Sequence, residues 1–322
     1  MPSMAGDLAR VEAGLQAAVR SGDDHLTEIS SHLIDAGGKR VRPGFCLAAA
    51  ATALTIDAPA SDEAVTGGVA VELVHLGSLY HDDVMDEAEV RRTVDSVNAR
   101  WGNLKAILAG DFLLARASEL AASLGVEVAG LLAATIGRLC EGQVLELRRA
   151  HDIDRSEDDY FRSIEGKTAS LLAAACRIGA IVADLPPEHT DALTTFGHSY
   201  GMAFQLVDDV LDLVATEADL GKPAGHDLEE GVYTLPVILT LASDRGSELR
   251  DLLGGPLDPA ARDKAIAIVR DGSGIAGTIT RARGFADAGR AALDVLPGSP
   301  GVTGLSAAAD YLLSSVEAAA AT

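Results

Sequence analysis

Apolar residues recur at three- and four-residue spacings along nearly the whole chain, and strict alternation of the strand type is scarce. That periodicity predicts helices over Asp7–Arg20, Asp24–Ile34 and Pro43–Thr55, and then a long one running to about Val90. Further helices are predicted over Lys105–Leu124, Val126–Arg149, Tyr160–Asp184 and Glu188–Thr216. From Leu235 to Ala320 several more follow, broken near Gly254–Pro259, Gly272–Gly274 and Pro297–Gly301. No repeat, low-complexity linker or domain boundary divides the chain, so residues 1–322 read as a single all-α domain.

Two of these helices carry the same polar device. Between Glu72 and Arg92 an apolar stem ends in His81-Asp82-Asp83-Val-Met-Asp86, followed by Arg91-Arg92. Asp82 and Asp86 are spaced to share a helix face, with His75 two turns earlier on nearly the same face. The device returns at Phe204-Gln205-Leu-Val-Asp208-Asp209-Val-Leu-Asp212. One such triad is ordinary solvated charge at a helix end. Two, brought together without counter-charge, would repel and their pKa values would rise. A hard divalent cation removes that conflict, and oxygen-only ligands with no Cys or His nearby select Mg²⁺. The predicted client is therefore a phosphorylated molecule held between two helices.

Charge sharpens the loops. The net charge of −22 argues against nucleic acid as a partner. Against that background the run Gly37-Gly-Lys39-Arg40-Val-Arg42-Pro43, at a predicted helix start, reads as an anion grip suited to diphosphate. The stretch Leu220–Pro236, rich in Gly, Pro and charge, reads as a lid or binding segment beside the second triad. Three cysteines, Cys46, Cys140 and Cys176, fit neither a zinc site nor a disulfide framework and read as buried reduced thiols, which implies a cytoplasmic protein. The N-terminus lacks a signal-peptide pattern. The most apolar window, Ala169–Ala183, contains Arg177 and reads as a core helix, so no transmembrane segment is predicted.

These elements, in this order from Gly37 to Pro236, resemble the trans-isoprenyl diphosphate synthases of the polyprenyl synthetase family. The resemblance rests on Gly-Gly-Lys-Arg-x-Arg-Pro, His-Asp-Asp-x-x-Asp with Arg91-Arg92, Gly110-Asp-Phe-Leu-Leu-Ala-Arg, Lys167-Thr168, the second triad and Gly221-Lys222-Pro. It implies the isoprenoid synthase fold, helices around a deep apolar cavity, usually as a homodimer. It also implies Mg²⁺-dependent head-to-tail condensation of isopentenyl diphosphate onto an allylic prenyl diphosphate. By position, Asp82, Asp86 and Asp208 would hold Mg²⁺, with Asp212 also in the metal set and, like Asp83, more of a supporting or water-mediated ligand. Lys39, Arg42, His75 and Arg92 match positions that hold isopentenyl diphosphate. Arg91, Lys167, Thr168, Gln205 and Lys222 match those around the allylic diphosphate, and Lys167 and Lys222 share in catalysis. One departure stands out: Val232 occupies a position where the family commonly has a lysine.

Product length follows from the residues just before the first triad. Gly77 and Ser78 precede Asp82 by five and four positions, where short-chain members often place an aromatic ring. Their small size implies an open cavity and a long-chain product, with a floor deeper down, near Phe112. Geranylgeranyl length is the alternative within the same activity, and close helix packing is the plain reading of Gly77. A non-catalytic regulatory subunit is the alternative from another class; such subunits typically lose one or both triads, and this chain retains every carboxylate.

Overall fold

The structure, a computed structural model, describes residues 1–214 and 225–320. The chain falls into two compact units. One comprises 1–136, 171–197 and 293–305, and the other 137–170, 198–292 and 306–322. Both are helical, and among the described residues the only strands are a pair of two-residue pieces.

In the first unit, α1 spans Met4–Ala18, α2 Asp24–Asp35, α3 Val41–Ala50 and α4 Asp62–Met85. Their starts are chemically marked. The Asp23 carboxylate accepts from the Leu26 N–H at 3.0 Å, and the Ser61 hydroxyl accepts from Ala64 N–H at 3.1 Å. Helix α4 packs against α1, α3 and α6 (Asn103–Ser123), and its run Val69–Val74 is buried on every side. A helix enclosed on all faces shows no single apolar stripe, which is why the sequence signal there is a continuous apolar run. A Cβ on Gly67 would stand 2.7 Å from Ile178 Cγ2, so glycine permits that crossing.

The long fourth helix ends earlier than the sequence predicts. It stops at Met85, with Asp86 as its cap, instead of running to Val90. Ala88 N–H donates to Asp83 O at 2.9 Å and Glu87 takes φ +50°, a left-handed stop that normally signals itself by glycine. Beyond it lies an unpredicted hairpin of β1 (Val90–Arg91) and β2 (Val94–Asp95), pairing Arg91 with Val94. Its two turn residues, Arg92 (φ +53°) and Thr93 (φ +66°), are both left-handed, the geometry that matches strand twist. Arginine and threonine are poor indicators of such a turn. After α5 (Val97–Trp101) and α6 comes α7, Val126–Arg148, as the periodicity predicts.

The remaining predicted breaks fall close to the observed ones. The predicted helix Tyr160–Asp184, whose first part lies in the second unit and whose remainder lies in the first, is interrupted by a wide turn. Helix α8 (Glu157–Ile164) passes through a π-helical turn, Glu165–Ala169, into α9 (Ser170–Val182). Close packing accompanies it: a Cβ on Gly166 would lie 2.7 Å from Arg138 O, and one on Gly142 2.6 Å from Lys167 N. Helix α10 covers Pro187–Val214. The C-terminal helices of the second unit gather around Leu213, Tyr233, Val237, Leu249 and Val269.

Two readings need adjustment. Cys46 and Cys176 are buried and unpaired, but Cys140 is exposed on α7. Among the described residues one helix has the length and hydropathy to cross a membrane, and it is α7, not the Ala169–Ala183 window. Its apolar side chains Val126, Val144 and Leu147 are exposed.

Candidate active site

In the first unit the loop before α3 is built around Arg40. Its backbone is left-handed (φ +47°), and its buried guanidinium donates to Glu72 Oε1 at 3.0 Å, Glu12 Oε2 at 3.0 Å and Ile34 O at 3.1 Å. Arg92 reaches the same loop from the hairpin and donates to Leu33 O at 2.9 Å and to Gly37 O. Gly38 is required between them, since a Cβ there would lie 2.9 Å from Arg92 Nη1 and 3.1 Å from Arg40 Nη1. Two cationic residues held in left-handed backbone is local strain of the kind that accumulates at binding sites.

His75, Arg42 and Arg92 form a cation-rich group around this loop. Burial holds the His75 imidazole well below its ordinary value, and Arg42, Arg92, Arg91 and Arg40 push it further down. Burial also lowers Arg42, with Glu72 opposing and Arg92 adding to the effect. The Arg42 Nε is buried and has no hydrogen-bond partner among the described residues. Stacked cations with an unspent donor are what an anion-binding site needs, because the anion supplies the missing counter-charge. Lys39 is exposed beside them.

The first triad sits at the end of α4. Asp82 is half-buried and Asp86 is exposed, whereas Asp83 is fully buried. Arg91 clamps Asp83 Oδ1 from Nε at 2.7 Å and from Nη2 at 2.6 Å. Arg91 is thereby fixed by the middle aspartate. Gly77, five residues before Asp82, turns toward α6. A Cβ there would meet Gly110 O and Leu114 Cγ at 3.1 Å. Ser78 is half-buried and donates to His75 O at 2.8 Å within its own helix. Phe112 is half-buried on α6.

In the second unit the π-helical turn presents Lys167 and Thr168. Lys167 Nζ bonds Glu146 Oε1 on α7 at 2.7 Å, and Thr168 Oγ1 donates to Gln205 Oε1 on α10 at 2.8 Å. Gln205 Nε2 donates to Asp209 Oδ1 at 2.8 Å, and the Tyr160 hydroxyl donates to Asp209 Oδ2. Burial lifts the Asp209 carboxyl to about 7 against those two hydrogen bonds. Within the second triad Asp208 is exposed, while Asp209 and Asp212 are buried. Asp212 also receives the chain as it returns: its O accepts from Gly225 N–H at 2.9 Å and its Oδ2 from Asp227 N–H at 3.4 Å. Val232 N–H donates to Asp227 O at 2.8 Å, behind Gly231 (φ +74°). Lys222 lies outside the described residues.

Among the described residues no group of three or more His, Cys, Asp or Glu side chains forms a metal cage. Of the expected ligands, Asp86 and Asp208 are exposed, Asp82 is half-buried and Asp212 is buried; carboxylates suit Mg²⁺, which keeps waters and completes its shell with substrate phosphates. The residues that hold the expected site residues in place are not marked as such in the sequence. Glu72, Glu12 and Arg40 form the buried base of the cation group, and Tyr160 and Arg155 back the second triad. A lone Glu72 inside Val69-Ala-Val-Glu-Leu-Val-His75 was the one available signal.

The polyprenyl synthetase family model matches residues 23–269. The nonaprenyl diphosphate synthase of Mycobacterium tuberculosis is 39% identical over 310 residues, which is 95% of this chain and 92% of that protein. The crystal structure of a decaprenyl diphosphate synthase from Rhodobacter capsulatus superposes with TM-score 0.90 at 34% identity, covering 98% of each chain. A geranylgeranyl pyrophosphate synthase from Corynebacterium glutamicum, complexed with calcium and isoprenyl diphosphate, gives TM-score 0.85 at 40% identity over 97% of this chain and 96% of its own. The chain belongs to the polyprenyl synthetase family, with the isoprenoid synthase fold, and is a prenyltransferase. Its activity class is prenyl chain elongation.

One solution property follows from His75. Its folded-state pKa lies below the ordinary 6.5, so below that pH the unfolded chain takes up a proton that the folded one refuses. Stability is therefore expected to fall as pH drops below about 6.5. Asp209 acts in the opposite direction, since its raised pKa favours the folded state as pH falls from about 7 toward 3.8. The two separate in a difference measurement. Relative to wild type, His75→Gln should gain in urea midpoint at pH 5.5 compared with pH 7.5. An equal difference at both values would place His75 outside the cation group.

Proposed function

We propose that this chain condenses isopentenyl diphosphate head to tail with an allylic prenyl diphosphate, in the presence of Mg²⁺, to give a long-chain all-trans polyprenyl diphosphate. The observation that carries the reading is the cation group of Arg42, His75 and Arg92, with its buried unspent donor, on the same unit as the first triad. A terpene cyclase needs one diphosphate site; here a second set, Lys167, Thr168 and Gln205, stands with the second triad.

The residues divide by role. Lys39, Arg42, His75 and Arg92 hold isopentenyl diphosphate and fix its double bond for attack. Asp82, Asp86 and Asp208 hold Mg²⁺, with Asp212 supporting. Bound Mg²⁺ supplies electrostatic stabilisation of the leaving diphosphate. Arg91, Lys167, Lys222, Thr168 and Gln205 bind the allylic diphosphate and stabilise the charge it gains as its C–O bond breaks. The double bond of isopentenyl diphosphate then attacks the allylic carbon, and the proton lost from the adduct passes to the departed diphosphate. Val232 cannot supply a cation, so phosphate contact at that position is carried by the other members.

Long product length rests on Gly77 and Ser78, neither of which can wall off a cavity. A Cβ on Gly77 would meet Gly110 O and Leu114 Cγ at 3.1 Å, which favours the plain reading of Gly77 as close helix packing and leaves the length reading to Ser78. We also infer a homodimer. Leu104, Ile107 and Leu108 on α6 expose apolar side chains that a second copy would cover. Unpaired cysteines favour a cytoplasmic location.

The test is product sizing with Mg²⁺, isopentenyl diphosphate and a range of allylic primers. A ladder of prenols ending well beyond geranylgeraniol is expected, and a sharp stop at geranylgeraniol would reverse the length assignment. Ser78→Phe is expected to shorten the ladder by several isoprene units, with its fold intact because Ser78 bonds only within its own helix. No product with any primer would revive the regulatory-subunit alternative.

A further inference from the structure

We propose that Tyr160 is a positioning residue for the allylic-diphosphate side of the site, acting through Asp209 on the orientation of the Gln205 amide. The inference rests on the function proposed above and extends it to a residue that contacts no substrate.

The argument is one of donors and acceptors. Asp209 accepts on both oxygens, Oδ2 from Tyr160 and Oδ1 from the Nε2 end of Gln205 at 2.8 Å. That sets the amide: Oε1 points the other way and takes the Thr168 hydroxyl proton at 2.8 Å. The second Nε2 hydrogen is left for an anion. Were the amide reversed, Gln205 would turn lone pairs toward a diphosphate and repel it. Asp209 can enforce the orientation only if its own carboxyl cannot turn. Tyr160 prevents that by occupying Oδ2 from its buried hydroxyl.

Tyr160 is itself pinned. The Arg155 guanidinium stands over its ring, Cζ 5.5 Å from the centroid, and is held by Tyr233 O at 3.0 Å and Ser163 Oγ at 2.6 Å. The Phe161 ring packs edge-on at 5.5 Å. Tyr160 lies on α8 and Thr168 in the π-helical turn that follows it, and Gln205 and Asp209 lie one turn apart on α10. The two helices are therefore cross-braced at two points. One of them is the turn that presents Lys167. Removing one hydroxyl should loosen the amide without emptying the site.

Steady-state kinetics of Tyr160→Phe with geranyl diphosphate as primer provide the test. The KM for primer is expected to rise about tenfold, with KM for isopentenyl diphosphate unchanged within about twofold. In a Gln205→Leu background the same substitution should add nothing further to the primer KM, because the amide it orients is gone. An unchanged primer KM would overturn the proposal, as would full additivity with Gln205→Leu. A rise in the Mg²⁺ requirement alone would also overturn it, since that places the effect on Asp208. Calorimetry with geranyl diphosphate and Mg²⁺, without isopentenyl diphosphate, reads the same contact without turnover. A wild type that binds but never condenses would sink the assigned reaction. Equal affinities in wild type and Tyr160→Phe would sink this proposal. Should the single variant not fold, Gln205→Leu read by the same calorimetry keeps the test: geranyl diphosphate affinity equal to wild type would overturn the proposal, because the oriented amide would then hold no anion.

Discussion

Asp82→Ala is expected to reduce turnover by about a thousandfold or more while leaving the helical fold intact. Asp82 is half-buried in the last turn of α4, and that turn is closed by backbone, with Asp86 N–H donating to Asp82 O at 2.8 Å. Alanine keeps that bond and is a good helix former. What it removes is a carboxylate from the set proposed to hold Mg²⁺ against the leaving diphosphate. That diphosphate gains charge as the C–O bond breaks, so the loss falls on the transition state and appears in kcat. Asp208→Ala, in the second triad that is also proposed to hold Mg²⁺, should behave alike. Diphosphate release and circular dichroism on the same preparations check this. Turnover within tenfold of wild type in Asp82→Ala would remove the first triad from the mechanism.

The helices and both triads were legible because the sequence states them directly. Apolar spacing marks α1–α4, α6, α7 and α10 within a few residues, though α5 goes unpredicted and α8 and α9 read as one helix, and Asp-Asp-x-x-Asp is visible without any structure. The illegible parts share one physical cause, backbone conformations adopted by residues that do not advertise them. The stop at Met85 turns on Glu87, the hairpin on Arg92 and Thr93, and the α3 entry on Arg40, all left-handed and none of them glycine. Tertiary contacts hold these shapes: Arg92 is tied to Leu33 O and Gly37 O, and Arg40 to two glutamates. The π-helical turn is similar, since it depends on Gly142 meeting Gly166 across two helices distant in sequence. Division of labour within each triad was equally hidden. The middle aspartates Asp83 and Asp209 are buried and committed to Arg91 and to Tyr160 with Gln205, a distinction that burial creates and spacing cannot express.

Arg40→Met carries the largest expected loss of stability, about 3–5 kcal/mol. The side chain of Arg40 is 4% exposed and that of Glu72 2%, so their bond at 3.0 Å is sealed from water. Methionine fills most of the volume but leaves the Glu72 carboxylate buried without its hydrogen-bonding cation. A desolvated charge in that position costs far more than the pair contributes. It also abandons Glu12 and Ile34 O, the other acceptors that hold the left-handed entry to α3. Pairing the change with Glu72→Met should recover much of the loss, because the stranded charge is then gone. Recovery of stability should not restore substrate binding. Glu72 is the buried carboxylate that offsets Arg42 and Arg92, and without it their repulsion should push the two guanidinia apart. The double variant is therefore expected to combine a near-normal urea midpoint with a raised KM for isopentenyl diphosphate. A double variant as unstable as Arg40→Met alone would show that the strained loop, and not the buried charge, sets the cost.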